Sequence, residues 1–220
     1  MAAELIQIYY REEQKKELYP FAIPYYNEGL TIFFENSIIA DVVLPSNAEK
    51  IGVCSWKLRQ KQRWNVGRGR EITEEVINSD YDVLSFTRNS KDHEMLNSAE
   101  VWHPGFKRCM ALMLEKIGVS MPSEVKNPIN QNHFMALNEI YTDYVTHYLI
   151  PAMGVLKNDP ACNEIALVDS HYTELAKKDA ASPERLTELI GIPYYPMAPF
   201  LLERLFPIYC HNKKINVTYI

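Results

Sequence analysis

The chain has 220 residues, 47% hydrophobic and 23% charged, with a formal charge of -5 and a pI near 5.7. That length buries a full core and fits one domain. The acidic balance excludes a general nucleic-acid binder, which would carry a basic surplus, so nucleic acid is not expected as a partner and any basic patch is local.

The opening MAAELIQIYYREEQ has no basic n-region and turns charged before an apolar core could develop, unlike a secretory leader. No later run reaches the roughly eighteen apolar residues of a membrane helix. The nearest, LTIFFENSIIADVVL, is broken by Glu35, Asn36 and Asp41. A cytoplasmic location is the expectation. Leu5 to Tyr10 alternates and is β-prone, which predicts a first strand. A charged, Tyr- and Pro-rich connection follows it. Residues 31 to 43 fit helix or strand by hydrophobicity, and the polar Glu35 and Asn36 favour helix. Ile51 to Trp56 reads as a buried strand, 71 to 78 as a helix with Ile72, Val76 and Ile77 on its stripe, and Val83 to Phe86 as another buried strand. Strand and helix alternate to this point, as in a mostly parallel α/β sheet.

The second half changes character. Phe106 to Ile117 has helical spacing and stops at Gly118. Residues 131 to 150 place Phe134, Leu137, Tyr141, Tyr144, Val145 and Tyr148 on one helical stripe, with Pro151 near the exit. Ser182-Pro183-Glu184 is an N-cap with proline at the first helical position, closed by Gly191. Pro199 to Cys210 is a further apolar helix that Pro207 bends or ends. The expected fold class is α/β, a single domain with a mostly parallel sheet and a helix-rich C-terminal half. Its α/β part spans 1–90 and its helical part 91–220, with no clear linker.

Cys54, Cys109, Cys162 and Cys210 form no CxxC pair and are expected as free, mostly buried thiols. His133 and His147 lie too far apart in sequence for a helical metal pair, and HExxH, GxSxG, GxxxxGK[ST] and GxGxxG are all absent. Three stretches carry candidate chemistry. SWKLRQKQRWNVGRGR (55–70) holds six basic residues and no acid. On an extended backbone Lys57, Arg59, Lys61 and Arg63 share one face, with Trp56, Leu58 and Trp64 on the other. Such a row suits a diphosphate; a solvated edge or loop is the plain alternative. In NSDYDVLSF (78–86) Asp80 and Asp82 are spaced as an acidic pair, yet they precede the strand they might serve, so Asp80 reads more readily as a helix-to-strand turn residue than as a metal ligand. In SAEVWHPGFKRC (98–109) Trp102 could cover a sugar ring, and His103 or Glu100 could take a proton. The same residues also fit a helix entrance.

Taken in order, IGVCSWKLRQK (51–61), SDYDVLSF (79–86), EVWHPGF (100–106), NHFMAL (132–137) and PFLLERLFPIY (199–209) resemble a family of bacterial glycosyltransferase-like proteins associated with surface-polysaccharide synthesis. The resemblance spans about residues 5 to 210 and rests on the set, not on one motif. It implies a nucleotide-sugar-binding sheet of the glycosyltransferase A type, a nucleotide-sugar donor, and a polysaccharide or lipid-linked acceptor reached with peripheral membrane association. Trp56 and Lys57 would stand where metal-using relatives carry an acidic pair. No acid is present there, so neither manganese nor magnesium is assigned, no metal ligand is named, and Lys57, Arg59 or Lys61 would neutralise the leaving diphosphate. Glu100, His103 or Asp82 would accept the acceptor's proton. Trp102, Trp56, His133 and Glu203 would face the sugar or acceptor, with Glu203 and Arg204 as an ion pair or as pocket residues. The competing expectations are a non-catalytic carbohydrate- or nucleotide-binding protein, and a scaffold of a polysaccharide cluster that uses the 14 tyrosines as contact surface.

Overall fold

In a computed structural model the described residues are 3–64, 71–86, 94–126, 129, 132–176 and 180–220, the side chains of 62–64 and 175–176 excepted. Six strands form one sheet: β1 (Ala3–Tyr9), β2 (Ile23–Tyr26), β3 (Lys50–Ser55), β4 (Val83–Ser85), β5 (Phe134–Leu137) and β6 (Val217–Tyr219). Their order is β2-β1-β3-β5-β4-β6. β1 pairs in parallel with β2 and β3, and β4 with β6, while β5 runs antiparallel between β3 and β4. The α/β class and mostly parallel sheet are thus as expected, but β2, β5 and β6 are additions to the reading, and the last two draw the second half of the chain into the sheet.

Side-chain alternation explains how the sheet is covered on both faces. Ile6, Ile8, Ile51, Val53, Val83, Phe134 and Ala136 pack into the larger core, and Leu5, Cys54, Leu84 and Met135 into the smaller one. β3 is buried along almost its whole length, which accounts for its continuous apolar run. The helices are α1 (Asn36–Val43), α2 (Leu58–Trp64), α3 (Glu74–Ile77), α4 (Met95–Trp102), α5 (Phe106–Lys116), α6 (Asn138–Tyr144), α7 (Ile150–Asn158), α8 (Pro160–Ala166), α9 (Tyr172–Ala176), α10 (Pro183–Ile190), α11 (Ala198–Glu203) and α12 (Leu205–Lys213). α2 and α3 cover the smaller core; α1, α4 to α8, α11 and α12 cover the larger.

Several boundaries differ from expectation for identifiable reasons. The stripe predicted from residue 131 begins as β5, and Leu137 hands over directly to α6. α6 and α7 then continue through a π turn at Val145–Leu149, just ahead of Pro151, whose nitrogen cannot donate to the preceding turn. The predicted helix over 199–210 is two helices. The break falls at Arg204, one turn before Pro207, because a proline ring crowds the carbonyl four residues earlier. The basic stretch is no extended strand: α2 begins three residues after β3 ends.

All four cysteines are free and buried. Seven of the 14 tyrosines are buried as well. Tyr141, Tyr144 and Tyr209 surround Phe206, which stacks on Phe134 at 3.8 Å. These rings serve the core, not a contact surface. No helix among the described residues is long and apolar enough to cross a membrane.

Candidate functional site

β1 and β3 run parallel and end together, and a cavity of about 800 Å³ opens at their carboxyl ends. Topology places it there. The chain leaves β1 for β2 on one flank and returns through α1 to β3 on the other, which leaves a crevice between the strand ends. Tyr10 and Arg11 carry β1 into the cavity, and Ser55, Trp56 and Lys57 carry β3 into it. His133 and Asn132 arrive at the same end because β5 is antiparallel. Helices supply the rest: Phe34 and Glu35 ahead of α1, Lys61 from α2, Trp102 and His103 from the end of α4, Arg185 from α10, and Glu203 and Arg204 from the α11–α12 break.

Two lining residues hold backbone conformations that side chains disfavour. Phe34 and Asn132 both have φ of 52°, in the left-handed region, a cost of about 1–3 kcal/mol each that surrounding contacts must offset. The contacts are visible. The Phe34 ring stacks on Tyr195 at 5.8 Å, and the Tyr195 hydroxyl accepts from the Ala181 amide at 2.9 Å, next to α10. Asn132 Nδ2 donates to the buried Asn36 side chain at 3.0 Å. Strain of this kind concentrates at functional sites.

α2 arranges the cations. The Lys61 amide donates to the Lys57 carbonyl at 2.9 Å, so the two lysines sit one helical turn apart, and both line the cavity. Arg59 lies on the other side of the helix. It donates to the Leu18 carbonyl at 3.4 Å, lies 5.8 Å from the Tyr19 ring, and does not reach the cavity. The expected row of alternate cations therefore becomes an i, i+4 pair with Arg59 outside it. The side chains of Arg63 and Trp64 lie outside the described residues, as do Arg68 and Arg70. Lys57 Nζ lies 5.6 Å from the Trp56 ring. Five cations line the cavity (Arg11, Lys57, Lys61, Arg185 and Arg204) against the carboxylates Glu35 and Glu203. Arg11 pairs with Glu13, Arg185 with Glu188 and Arg204 with Glu203, and the lining still carries more cations than carboxylates in a chain that is acidic overall.

His103 is 1% exposed in the turn between α4 and α5. Its ring stacks on Phe200 at 3.9 Å, and Nδ1 lies 3.3 Å from the Ser170 carbonyl. A carbonyl only accepts, so Nδ1 carries the hydrogen and Nε2 the lone pair. Burial, with the Arg204 charge adding to it and the Ser170 bond opposing, pulls the imidazole down to about 3. His133 is 3% exposed and is also held well below its ordinary value, by burial and then by Lys61. Both imidazoles are therefore neutral at neutral pH, and His103 Nε2 can accept a hydrogen bond from a ligand.

Glu100 and Asp82 are not among the residues that line this cavity. Glu100 lies on α4, and its two oxygens accept from the Gly105 and Lys107 amides at 2.9 and 2.8 Å, capping the start of α5. Asp82 immediately precedes β4; its carbonyl accepts from the Leu137 amide, which sets it level with Lys50 at the amino end of β3. The cavity opens at the other end, roughly 17 Å of strand away. Trp56, Trp102, Lys57, Lys61, His103, His133 and Glu203 do converge on the cavity.

Glu203 and Arg204 are both an ion pair and pocket residues. Arg204 reaches Glu203 Oε2 at 3.4 Å and the Phe200 carbonyl at 3.2 Å, with its guanidinium 5.7 and 5.8 Å from the Phe106 and Phe200 rings. Burial raises the Glu203 carboxyl; Arg204 opposes, Glu35 adds, and Lys61 opposes. Glu35 was not anticipated as a site residue. Its cue was a carboxylate inside the apolar run 31–43. Among the described residues no group of three His, Cys, Asp or Glu side chains could hold a metal ion. No family model, curated protein or solved structure matches the chain.

Proposed function

We propose that the cavity binds a nucleotide sugar and transfers its sugar to a carbohydrate or lipid-linked hydroxyl, so that the protein acts as a glycosyltransferase. The observation that carries this reading is the Lys57–Lys61 pair, presented at the carboxyl ends of two parallel strands beside aromatic side chains. Nucleotides bind open α/β sheets at that position. The lysines would take the diphosphate as point charges and offset the charge that develops as it leaves. Trp56 and Trp102 present faces suited to the apolar side of a sugar ring, and His103 Nε2 suits a sugar hydroxyl.

The test is thermal stability of the purified protein against a panel of nucleoside diphosphate sugars, with and without manganese, followed by assay of donor hydrolysis. The reading expects at least one donor to raise the melting temperature and to be slowly hydrolysed. Stabilisation without hydrolysis or transfer to any acceptor would instead identify a non-catalytic binding protein. No response to any donor would remove both readings.

A further inference from the structure

Among the cations of the cavity wall, Arg204 is engaged by the fold: it donates to the Phe200 carbonyl, pairs with Glu203 and lies near two rings. Arg185 is held differently. Ser182 caps α10 by accepting from the Arg185 amide, and the phase this sets brings Arg185, Leu186 and Leu189 to the cavity. Arg185 Nη1 pairs with Glu188, whose side chain is 67% exposed. Such a surface pair adds little by itself. Arg185 Nε, in contrast, is buried and has no hydrogen-bond partner among the described residues. A buried N–H of a charged group without an acceptor carries an uncompensated desolvation cost, which an oxyanion would remove.

We propose that Arg185 is the seat of a carboxylate carried by the ligand's sugar, so that the donor is a nucleoside diphosphate linked to an acidic sugar. The identity of the donor rests on the glycosyl-transfer reading; the carboxylate seat does not. Two features support it. The first is the chemistry of the fork. Along one edge of a guanidinium, Nε and Nη2 present parallel N–H groups that match the two oxygens of a carboxylate. Glu188 holds the group through Nη1 and leaves Nε unused. The second is place. The Ala181 amide, just ahead of α10, donates to the Tyr195 hydroxyl at 2.9 Å. Ring contacts then run from Tyr195 to Tyr172 at 5.0 Å, from Tyr172 to Phe200 at 5.3 Å, and from Phe200 to His103 at 3.9 Å. Arg185 thus belongs to the wall that offers His103 and Trp102 to the sugar, whereas Lys57 and Lys61 come from the end of β3 and from α2.

No bond forms or breaks at Arg185. It reads the charge of the sugar and fixes the direction of the ring. A neutral sugar leaves the buried N–H without an acceptor, and an acidic sugar supplies one, which is how a site built around a buried polar group discriminates. Lysine would keep the charge but lose the planar fork.

Two measurements test this. The first needs no nucleotide: nitrogen-15 NMR of the full chain labelled in arginine, with the Arg185 Nε–H resonance assigned by its loss in Arg185→Lys. Glucuronate should move that resonance saturably, in the wild type and in Arg59→Ala alike, and glucose should not move it. A shift no larger with glucuronate than with glucose overturns the proposal, as does one that follows ionic strength and never saturates. Inorganic phosphate binding there as tightly as glucuronate would assign the seat to a phosphate and overturn the acidic sugar. The second measurement compares a nucleoside diphosphate hexose with the matching hexuronate by calorimetry. The wild type should bind the acid on the order of tenfold more tightly, and Arg185→Gln should bind the two alike. Equal affinities in the wild type, or an undiminished preference in Arg185→Gln, overturn the assignment. If glucuronate seats at Arg185 and neither nucleotide binds, the carboxylate seat stands and the nucleotide-sugar reading fails.

Discussion

The Nδ1–H of His103 is donated to the backbone carbonyl of Ser170, 67 residues further along the chain, while the ring lies on Phe200. One residue thus joins the α4–α5 turn, the approach to α9, and α11 around the cavity. The contact fixes the tautomer as well as the position.

A pH dependence follows. An unfolded histidine titrates near 6.5, and folded His103 is drawn down to about 3. Between those values the unfolded chain binds the extra proton, so the stability contribution is complete above about 6.5 and is lost as pH falls towards 3. His133 shifts in the same direction. Chemical denaturation between pH 7.5 and 4 should show the wild type losing more stability than His103→Gln across this window. Equal losses would place His103 in water, not in the core.

Glu100 is a cap. Glu100→Ala should cost about 0.5–2 kcal/mol of stability, in line with loss of an N-terminal cap, because the Gly105 and Lys107 amides lose their acceptor. Ligand-induced stabilisation should be unchanged. A variant of normal stability that no longer responds to ligand would return Glu100 to the site.

At Gly52 β3 has no room for a side chain against β5. A Cβ there would stand 2.5 Å from Met135 Cγ and 2.8 Å from the Phe134 carbonyl oxygen. The methionine end can move, but the backbone oxygen sits within the sheet. Gly52→Ala should therefore destabilise the fold by about 1–3 kcal/mol, read as a lower denaturation midpoint. Unchanged stability would mean that β5 can withdraw from β3 without cost.

Where local chemistry was strong, the sequence was readable. α10 has Ser182 accepting from the Arg185 amide at its start and Gly191 at φ 79° at its end, and β3 is a continuous apolar run between charged flanks. β5 was missed because Phe134 and Leu137 fall in helical phase with Tyr141, and no turn residue separates strand from helix. β2 carries Pro24 and is largely exposed, so it lacks the alternation of a half-buried strand. Within the site, Trp102 and His103 were legible as an unusual cluster. The cations were found but given the wrong period: two residues per repeat placed Arg59 with Lys57, whereas a helix pairs Lys57 with Lys61. Glu35 was hidden because a polar residue in an apolar run served only to separate helix from strand. That it lines the same cavity as Glu203, 168 positions away, is a property of the tertiary fold.

The anion-binding role of the Lys57–Lys61 pair is tested most directly by calorimetric titration with a panel of nucleoside diphosphates. The comparison is between wild type, Arg59→Ala and the double variant Lys57→Met/Lys61→Met. At least one diphosphate should bind the wild type and Arg59→Ala alike, and the double variant should bind it at least tenfold more weakly, since each charge-assisted hydrogen bond contributes about 1.5–3 kcal/mol. Binding of equal strength to all three proteins, or no binding of any diphosphate to the wild type, would contradict it.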